Sequence, residues 1–339
     1  MKVLIAPLNW GLGHASRCVP LVQRFLDAGD EVILGGDGDS LTLLRKHFPK
    51  LRYVYLAPLN LRYSKGSRQV FAMLRAMPQL IAWSFKDHAI LKAVLREEPF
   101  DLIVSDNRFG LYSVSPKDGL SAKRSNSETV CQPKAVYMTH QLHIMLPKGW
   151  RWLEPVAERL HKRIYSRFDE VWVPDFEEKE KSLSGEMGHP SHLRFGHLPF
   201  TIEYIGPLSR FETTRYRDHE ITTPYNIVAV LSGLEPQRTM LEKEIVARYT
   251  DKKDQVLIVQ GLPSRPNTRI KRGNITIVPY LSDNELVAAL TGAQRIIARS
   301  GYSTIMDFQA LDVLDKAELI PTPGQPEQEY LAERIRDDK

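Results

Sequence analysis

Short apolar runs alternate with helical patterns along the chain. In the first half, runs typical of buried strands cover residues 3–6, 31–34, 52–56, 100–105, 135–138 and 170–173. Apolar residues between several of these runs recur at helical spacing, as in residues 19–26. Because strands that alternate with helices form parallel sheets, the pattern predicts an α/β fold. Residues 113–133, which are rich in Ser, Lys, Gly and Pro, predict an exposed insertion loop.

The same pattern restarts in the second half. New strand-type runs cover residues 226–231, 255–260, 275–278, 295–298 and 317–320. The sequence Tyr-Ile-Gly-Pro at 204–207 precedes the restart, so we place a boundary there and expect domains at 1–205 and 206–339. Two open sheets of this type predict two Rossmann-like domains that face a ligand cleft, where the loops at the carboxyl ends of the strands converge.

Composition narrows the class of protein without naming a function. A chain of 339 residues, 42% hydrophobic and 26% charged, is long enough for two globular cores and unlike a disordered or fibrous protein. Cys18 and Cys131 are the only cysteines, too few for a disulfide framework or a zinc cluster. The N-terminus runs directly into a glycine loop without a signal-peptide pattern, and no stretch is apolar enough to span a membrane. We therefore expect a cytoplasmic protein.

The chain has a formal net charge of +5, and the excess of Lys and Arg over Asp and Glu lies in residues 1–205. This half favours an acidic partner, such as the inner face of an anionic membrane or a phosphorylated acceptor. The chain has no dense Lys/Arg run and no recognised nucleic-acid-binding motif, so we expect no nucleic acid partner.

Residues 67–86 mix Phe, Met, Leu and Trp with basic side chains. Such a stretch is typical of a segment that touches a membrane or a lipid-linked acceptor. The alternative is that its apolar side chains belong to the core, and we expect Pro78 to interrupt a surface helix.

The first candidate site is the loop Gly11-Leu-Gly-His14. The glycines allow a tight turn and leave His14 at the mouth of the next helix, where a helix N-terminus attracts anions. The third glycine of a dinucleotide-binding motif is absent, because position 16 is Ser. From this segment alone, His14 is either a structural loop histidine or a group that contacts substrate.

The second candidate site combines a strand end, a glycine turn and a helix start at residues 298–307. Its backbone amides are suited to a diphosphate, and Asp307 to ribose hydroxyls. The residues assigned to this site are Arg299, Ser300, Gly301, Ser303, Thr304 and Asp307. The alternative is an ordinary helix cap.

The third candidate site is the polar, proline-rich loop at 321–332, which follows the last predicted strand. Gln325, Glu327 and Gln328 provide donors and acceptors that suit sugar hydroxyls. The second and third candidate sites, a helix that starts at a strand end and a polar loop, are much less common together at this separation than either is alone.

Segments 299–307 and 321–332 together resemble the C-terminal signature of glycosyltransferases related to the peptidoglycan lipid-intermediate N-acetylglucosaminyltransferase, the family 28 type. The Gly11–His14 loop is similar to that family's N-terminal glycine-rich loop. Tyr-Met-Thr-His-Gln-Leu at 137–142 and Ser-Gly at 232–233 stand where the family has an acceptor-side histidine and a small-residue loop near the phosphates. The sequence differs at Leu12, where the family has Gly, and at Asp307, where it has Glu.

The resemblance implies a GT-B glycosyltransferase that binds an acceptor in 1–205 and a nucleotide-sugar in 206–339. The implied reaction moves a sugar, from a UDP-sugar by preference, to a hydroxyl of a glycan or lipid-linked acceptor, with inversion and without metal or cofactor. The chain stops at Lys339, soon after the predicted sugar-contacting loop. The family's fold continues there into helices that return to the N-terminal domain, so we expect a short C-terminal end.

The resemblance also implies roles for individual residues. His14 is the predicted base, and Asp106 either orients its imidazole, meets the acceptor, or is an exposed loop aspartate. The predicted acceptor-side residues are Gly11, Gly13 and His140, although His140 as a structural histidine is an equal alternative. Ser232 and Gly233 join the amides of 300–304 at the diphosphate, with Arg299 as a helper.

Asp37-Gly-Asp39 has the Asp-x-Asp pattern of metal-dependent glycosyltransferases. It follows the second strand of the acceptor half, far in sequence from the nucleotide motifs, so we interpret it as a turn.

Two other functions are compatible with the same residues. A nucleotide-sugar 2-epimerase has the same type of fold but isomerises its donor without an acceptor. A nucleotide-sugar binding protein without turnover is the second alternative.

Overall fold

The computed structural model describes residues 1–59, 69–114, 122–123, 130–191, 200–212, 224–233 and 235–337 of the chain. For residues 69–74, 122–123 and 130–131 it describes the backbone only. Most of the predicted insertion loop at 113–133 and the start of the 67–86 stretch therefore lie outside the described residues.

Seven parallel strands form the first sheet, in the order β3-β2-β1-β4-β7-β8-β9. The strands of this half are β1 (Lys2–Pro7), β2 (Glu31–Gly36), β3 (Tyr53–Tyr55), β4 (Leu102–Asp106), β5 (Ala122–Lys123), β6 (Val130–Cys131), β7 (Lys134–Met138), β8 (Glu170–Val173) and β9 (Thr201–Tyr204). β5 and β6 form a separate antiparallel pair. The central strands β1 and β4 are buried almost throughout, which is why they read as continuous apolar runs.

The second sheet has the order β12-β13-β11-β10-β14-β15 and is parallel except for β12 at its edge. Its strands are β10 (Ile227–Val230), β11 (Val256–Val259), β12 (Ile270–Arg272), β13 (Ile275–Val278), β14 (Arg295–Ala298) and β15 (Ala317–Leu319). The predicted boundary after residue 205 falls between the two sheets. The division into acceptor-binding and donor-binding domains stays a prediction.

Helices cover both faces of each sheet. They are α1 (Gly13–Asp27), α2 (Gly38–His47), α3 (Gln69–Glu97), α4 (Glu154–Tyr165), α5 (Gln237–Tyr249), α6 (Asp283–Gly292), α7 (Tyr302–Ala310) and α8 (Pro326–Asp337). Short 3₁₀ turns occur at Lys148–Leu153, Lys179–Lys181, Gly185–Met187 and Leu314–Lys316. The prediction that Pro78 interrupts a helix is wrong, because α3 continues through it. In the described part of the chain, each helix is too short or too polar to cross a bilayer.

The C-terminal helix α8 lies against the N-terminal half. The Tyr330 hydroxyl accepts a hydrogen bond from the Glu186 amide at 2.9 Å, and Arg334 donates to the Ser182 carbonyl at 2.8 Å. Leu331 and Ile335 of the same helix pack in one apolar cluster with residues of both halves. This helix therefore holds the two halves together beside the cleft.

A fully buried arginine stabilises the strand ends of the first half. Arg108 makes two hydrogen bonds to Asp87, at 2.9 and 3.0 Å, and one to Asp37 at 2.8 Å. It also donates to the backbone carbonyls of Ala57 and Pro7. Asp37, the first carboxylate of the Asp-x-Asp sequence, lies at the start of α2 and is thus held by Arg108.

Replacement of Arg108 by Met is expected to lower the free energy of unfolding by about 3–5 kcal/mol, because it leaves the buried Asp87 carboxylate without its cation. Urea denaturation measures the change. The exposed Arg96, also on α3 with Asp87, provides the matched control Arg96→Met, for which we expect a change within about 0.5 kcal/mol. A loss below about 1 kcal/mol for Arg108→Met would contradict this account.

Candidate active site

Loops from both sheets converge at the carboxyl ends of β1, β10 and β14. A side-chain carbon placed on Gly11, which has φ +78°, would lie 3.4 Å from the backbone of Gly233. The Ser303 hydroxyl donates to the Gly13 carbonyl at 2.9 Å, and a side-chain carbon on Gly13 would lie 3.0 Å from that hydroxyl oxygen. Glycine is therefore required where the loops approach, and Ser232 lies beside this contact in the chain.

The N-termini of α1 and α7 lie side by side at this point. The contacts between Gly13 and Ser303 and between Ser16 and Asp307 show that the helices run in the same direction. Neither helix has an acidic residue in its first turn or a side-chain cap at its N-terminus. Two adjacent positive helix ends with no acidic residue in their own first turns form a favourable environment for an anion such as a diphosphate.

His14 and Asp106 form a hydrogen-bonded pair in front of these helices. The Nδ1 atom of His14 lies 2.9 Å from Oδ1 of Asp106, and the His14 side chain is 17% exposed. With a proton on Nδ1 donated to Asp106, the Nε2 atom keeps a lone pair that can accept a proton. The structure thus brings the two predicted catalytic residues together, and it shows that Asp106 is buried rather than an exposed loop residue.

Arg17 completes this group. Its guanidinium donates to both oxygens of Asp106, with Nε to Oδ2 at 2.7 Å, and its Nη2 atom lies 3.0 Å from Nδ1 of His14. Burial by itself raises the pKa of Asp106, but Arg17 and His14 more than offset this effect, so the pKa lies well below its usual range. Asp106 is therefore a carboxylate at neutral pH.

His140 connects the two halves of the cleft. Its Nδ1 atom lies 3.0 Å from Nη1 of Arg17, and its Nε2 atom lies 3.0 Å from Oε1 of Glu327 at the start of α8. The ring stacks on Tyr302 with centroids 4.3 Å apart. Burial lowers the pKa of His140, although the hydrogen bond to Glu327 opposes this shift. The predicted acceptor-side histidine therefore meets a predicted donor-side carboxylate.

The predicted donor loops contact each other through Ser300 and Gln328. The Ser300 hydroxyl donates to the Gln328 carbonyl at 2.7 Å, and the Gln328 side chain accepts from the Thr322 amide at 2.8 Å. The Arg299 guanidinium donates to the carbonyls of Pro321 at 2.9 Å and Gln237 at 3.1 Å. In this conformation Arg299 fixes the backbone of the site, and its predicted contact with a diphosphate stays a prediction.

The remaining predicted donor residues lie on the same two loops. Gly301 precedes α7, and Thr304 is in its first turn. The Gln325 amide donates to the Thr322 carbonyl at 3.1 Å, so Gln325 lies in the turn that leads into α8. Their contacts with a nucleotide-sugar stay predictions.

Asp307 lies apart from these loops, buried between α7, α1 and the chain segment that joins the two sheets. It accepts hydrogen bonds from Ser209 at 2.7 Å and Ser16 at 3.3 Å, and Arg210 lies 3.8 Å away. Burial raises its pKa to about 6, with Arg210 opposing the shift. The predicted contact of Asp307 with a ribose stays a prediction, and in this conformation the carboxylate faces protein groups.

Arg17 is the residue of this site that sequence reasoning missed. It stands three positions after His14, so it lies on the same face of the predicted helix. The signal available in the sequence was a charged residue placed directly before the apolar stripe of α1, where burial of the arginine could have been expected. Among the described residues, no group of three or more His, Cys, Asp or Glu side chains is arranged to hold a metal ion.

No model of a known protein family matches the chain. Three curated proteins, each described as an uncharacterized glycosyltransferase, are similar over nearly all of it. One from Methanosarcina acetivorans is 22% identical over 346 residues, which is 100% of this chain and 84% of the relative. A second from that organism is 26% identical over 359 residues (99% and 82%), and one from Methanosarcina mazei is 22% identical over 348 residues (100% and 84%).

Solved glycosyltransferase structures share the fold. The spinosyn rhamnosyltransferase SpnG matches with a TM-score of 0.56 and 12% identity, over 100% of this chain and 84% of that one. The spinosyn forosaminyltransferase SpnP matches with a TM-score of 0.55 and 16% identity (99% and 83%). Arabidopsis thaliana UGT89C1, complexed with UDP-L-rhamnose, matches with a TM-score of 0.51 and 14% identity (99% and 90%). The predicted GT-B fold is confirmed, and the names of the curated relatives support the predicted transferase class.

The buried Asp307 makes stability depend on pH. Its pKa of about 6 in the folded protein exceeds the ordinary 3.8, so its stabilising effect is complete below pH 3.8 and is lost as the pH rises through 6. Between about pH 5 and pH 8, wild type should lose about 1–2 kcal/mol more stability than Asp307→Asn. Urea unfolding across this range measures the difference.

The exposed carboxylate of Asp27 on α1 provides the control Asp27→Asn, which should follow wild type at each pH. Parallel curves for wild type and Asp307→Asn would contradict the predicted pH dependence.

Proposed function

We propose that this protein is a glycosyltransferase that moves a sugar from a nucleoside diphosphate to an acceptor hydroxyl with inversion and without a metal ion. The observation that carries the proposal is the His14–Asp106 pair beside the adjacent N-termini of α1 and α7. Residues 1–205 would bind the acceptor, a glycan or lipid-linked alcohol, and residues 206–339 the donor. We place the protein in the cytoplasm.

His14 would act as the general base. Its Nε2 atom takes the proton of the acceptor hydroxyl while the oxygen attacks the anomeric carbon, and Asp106 stabilises the imidazolium that forms. The bond between that carbon and the diphosphate oxygen breaks on the opposite side. A single displacement of this kind inverts the configuration at the anomeric carbon.

The departing diphosphate would be stabilised by fixed dipoles. Residues 232–233 and 300–304 lie on the converging loops, so their backbone amides lie close to the positive ends of α1 and α7. Dipoles that are already oriented before reaction can stabilise the growing negative charge without a bound cation. This supports a metal-independent transfer.

A UDP-sugar is the favoured donor. One of the solved structures with this fold contains UDP-L-rhamnose, and another, SpnG, contains thymidine diphosphate. The resemblance of segments 299–307 and 321–332 to the family of the peptidoglycan lipid-intermediate N-acetylglucosaminyltransferase also supports a UDP-sugar. We propose a relation to that family on these segments.

A thermal-shift screen of UDP- and TDP-sugars should identify the donor, because a ligand at about 100 times its dissociation constant stabilises the protein by about 2.7 kcal/mol. With that donor and an alcohol acceptor, His14→Ala should lower kcat by about 10²- to 10⁴-fold, because the base is lost. The same variant should keep the thermal shift produced by the donor.

The control is Met240→Ala, because Met240 is solvent-exposed; His47→Ala is unsuitable since His47 pairs with Asp283. Incubation with UDP-N-acetylglucosamine alone separates transfer from epimerisation, since an epimerase needs no acceptor. Donor binding without transfer to any acceptor would favour the binding-protein alternative. Full transfer by His14→Ala would exclude His14 as the base.

We also propose that the acceptor half contacts an anionic membrane surface. On α3, Met77, Ile81 and Phe85 are exposed at four-residue spacing, with Phe85 61% exposed. The exposed charged side chains in residues 75–86 are basic, Arg75 and Lys86. An exposed apolar stripe flanked by cations is typical of helices that lie on membranes.

A second stripe of the same kind continues this surface. Trp152, Val156 and Leu160 are exposed at four-residue spacing along the 3₁₀ turn and α4, and Trp152 is 73% exposed. The exposed charged side chains in residues 148–163 are all basic: Lys148, Arg151, Arg159, Lys162 and Arg163. The two acids of this segment, Glu154 and Glu158, turn inward toward His143.

Both helices cover the same face of the first sheet. α3 packs Leu91 against a cluster that contains Ile103 of β4, and α4 packs Tyr165 against a cluster that contains Ala135 of β7. Ile103 and Ala135 are paired neighbours in the sheet, so their side chains point to one face. The two stripes therefore belong to one outer layer of the acceptor half.

The double variant Phe85→Ser/Trp152→Ser should bind vesicles that contain anionic phospholipid at least about tenfold more weakly than wild type, because the apolar contacts are lost. Co-sedimentation at low salt measures binding. Met240→Ser changes a 46% exposed apolar residue of the other half and should bind like wild type. Absence of wild-type binding at low salt would contradict the proposal.

A further inference from the structure

Arg17 is buried at the point where the predicted base, the acceptor side and the donor loop meet. It is 1% exposed, and it is among the largest fully buried side chains of the described residues. A buried arginine needs partners that satisfy its donors, because a guanidinium loses its hydration there. The partners that it has therefore indicate what the side chain is for.

Every hydrogen bond of Arg17 within the described part of the chain goes to a side chain of the site. These partners are Asp106 and His140; Nη2 also lies 3.0 Å from Nδ1 of His14, but that nitrogen donates its proton to Asp106 and so does not accept from Arg17. Arg108 and Arg299 differ in that each also donates to backbone carbonyls of neighbouring loops. The hydrogen bonds of Arg17 thus orient side chains of the site, whereas the other two arginines also fix the backbone.

The chemistry of the guanidinium determines the tautomer of His140. Arginine has donors only, so Nδ1 of His140, 3.0 Å from Nη1, must accept the hydrogen bond. The ring proton is then on Nε2, from which it is donated to Oε1 of Glu327 at 3.0 Å. Without Arg17, the ring is free to carry its proton on Nδ1 and to lose the bond to Glu327.

We propose that Arg17 is a positioning residue that couples the His14–Asp106 pair to Glu327 of the donor loop through the fixed tautomer of His140. This inference rests on the proposed transfer. On one side, Arg17 keeps Asp106 ionised and in place for His14. On the other side, it holds the ring that orients Glu327, which lies in the first turn of α8 and within the predicted sugar-contacting segment 321–332. The proposed base and the donor sugar are thereby held in fixed positions relative to each other.

Arg17→Lys is the informative variant. An ammonium on a lysine keeps the charge beside Asp106, but it cannot bind both carboxylate oxygens and His140 in the planar arrangement of the guanidinium. We expect Arg17→Lys to lower kcat by about 10- to 100-fold and to raise the donor KM several-fold, because misplaced groups lose catalytic alignment. Arg24→Lys, an exposed position on the same helix, should remain within about twofold of wild type.

A double-mutant cycle separates coupling from a purely structural effect. Arg17 and Glu327 both contact His140, so Glu327→Gln should have a clearly smaller effect on donor KM in the Arg17→Lys background than in wild type. If the double variant changed the donor KM by the product of the two single-variant factors, the proposed coupling would be overturned. Arg17→Lys with kcat and KM within about twofold of wild type would overturn the positioning role.

A second test measures the tautomer of His140 directly and does not depend on transferase activity. The ¹⁵N chemical shifts of histidine side chains distinguish the two ring tautomers, and His140→Asn identifies the signal of His140. Wild type should show a neutral ring protonated at Nε2, and Arg17→Lys should show a mixture of tautomers. An unchanged Nε2-protonated ring in Arg17→Lys would overturn the proposal even if no sugar were transferred. A wild-type protein with this tautomer but no transfer would instead contradict the proposed function.

Discussion

The carboxylate of Asp106 is buried at the carboxyl end of a central strand, and the arrangement of the cleft depends on how it is neutralised. A carboxylate in such a place is tolerated only with a cation and hydrogen bonds around it. Arg17 and His14 provide both from a single turn of α1. This requirement fixes the rotation of α1 and the position of its N-terminus. Because α7 packs beside α1, the same requirement also positions the predicted donor loop of the second sheet.

Polar contacts join the two halves where the cleft closes. His47 meets Asp283 at 2.7 Å, and His140 meets Glu327 at 3.0 Å. Polar interfaces between domains generally permit relative motion more easily than large apolar ones. The apolar cluster around α8 acts in the opposite sense, since it joins both halves at one side of the cleft.

Much of the fold could be predicted because buried parallel strands read as apolar runs. The central strands β1, β4, β10 and β14 were found for this reason, and the loops after them contain the predicted site. The edge strands β9 and β12 were missed, since their residues are largely exposed or half-buried and carry no such run. Apart from the pairing of Asp106 with His14, which was one of the alternatives for Asp106, the partners of the site residues could not be predicted. Arg17 and Asp106 are 89 positions apart, and Ser16 and Asp307 are 291 apart, so only the fold brings them together.

A carboxylate shared between an arginine and a histidine behaves differently from one that serves a histidine alone. Arg17 donates to both oxygens of Asp106, so the carboxylate is held in place beside His14. Asp106 therefore stays ionised although it is buried, and neither ring nor carboxylate must reorganise in the proposed proton transfer. Preorganisation of this kind is commonly the largest contribution to catalysis. The position of Arg17 therefore gives the proposed base a fixed geometry, which suits the proposed reaction, because two substrates must be aligned in it across a cleft.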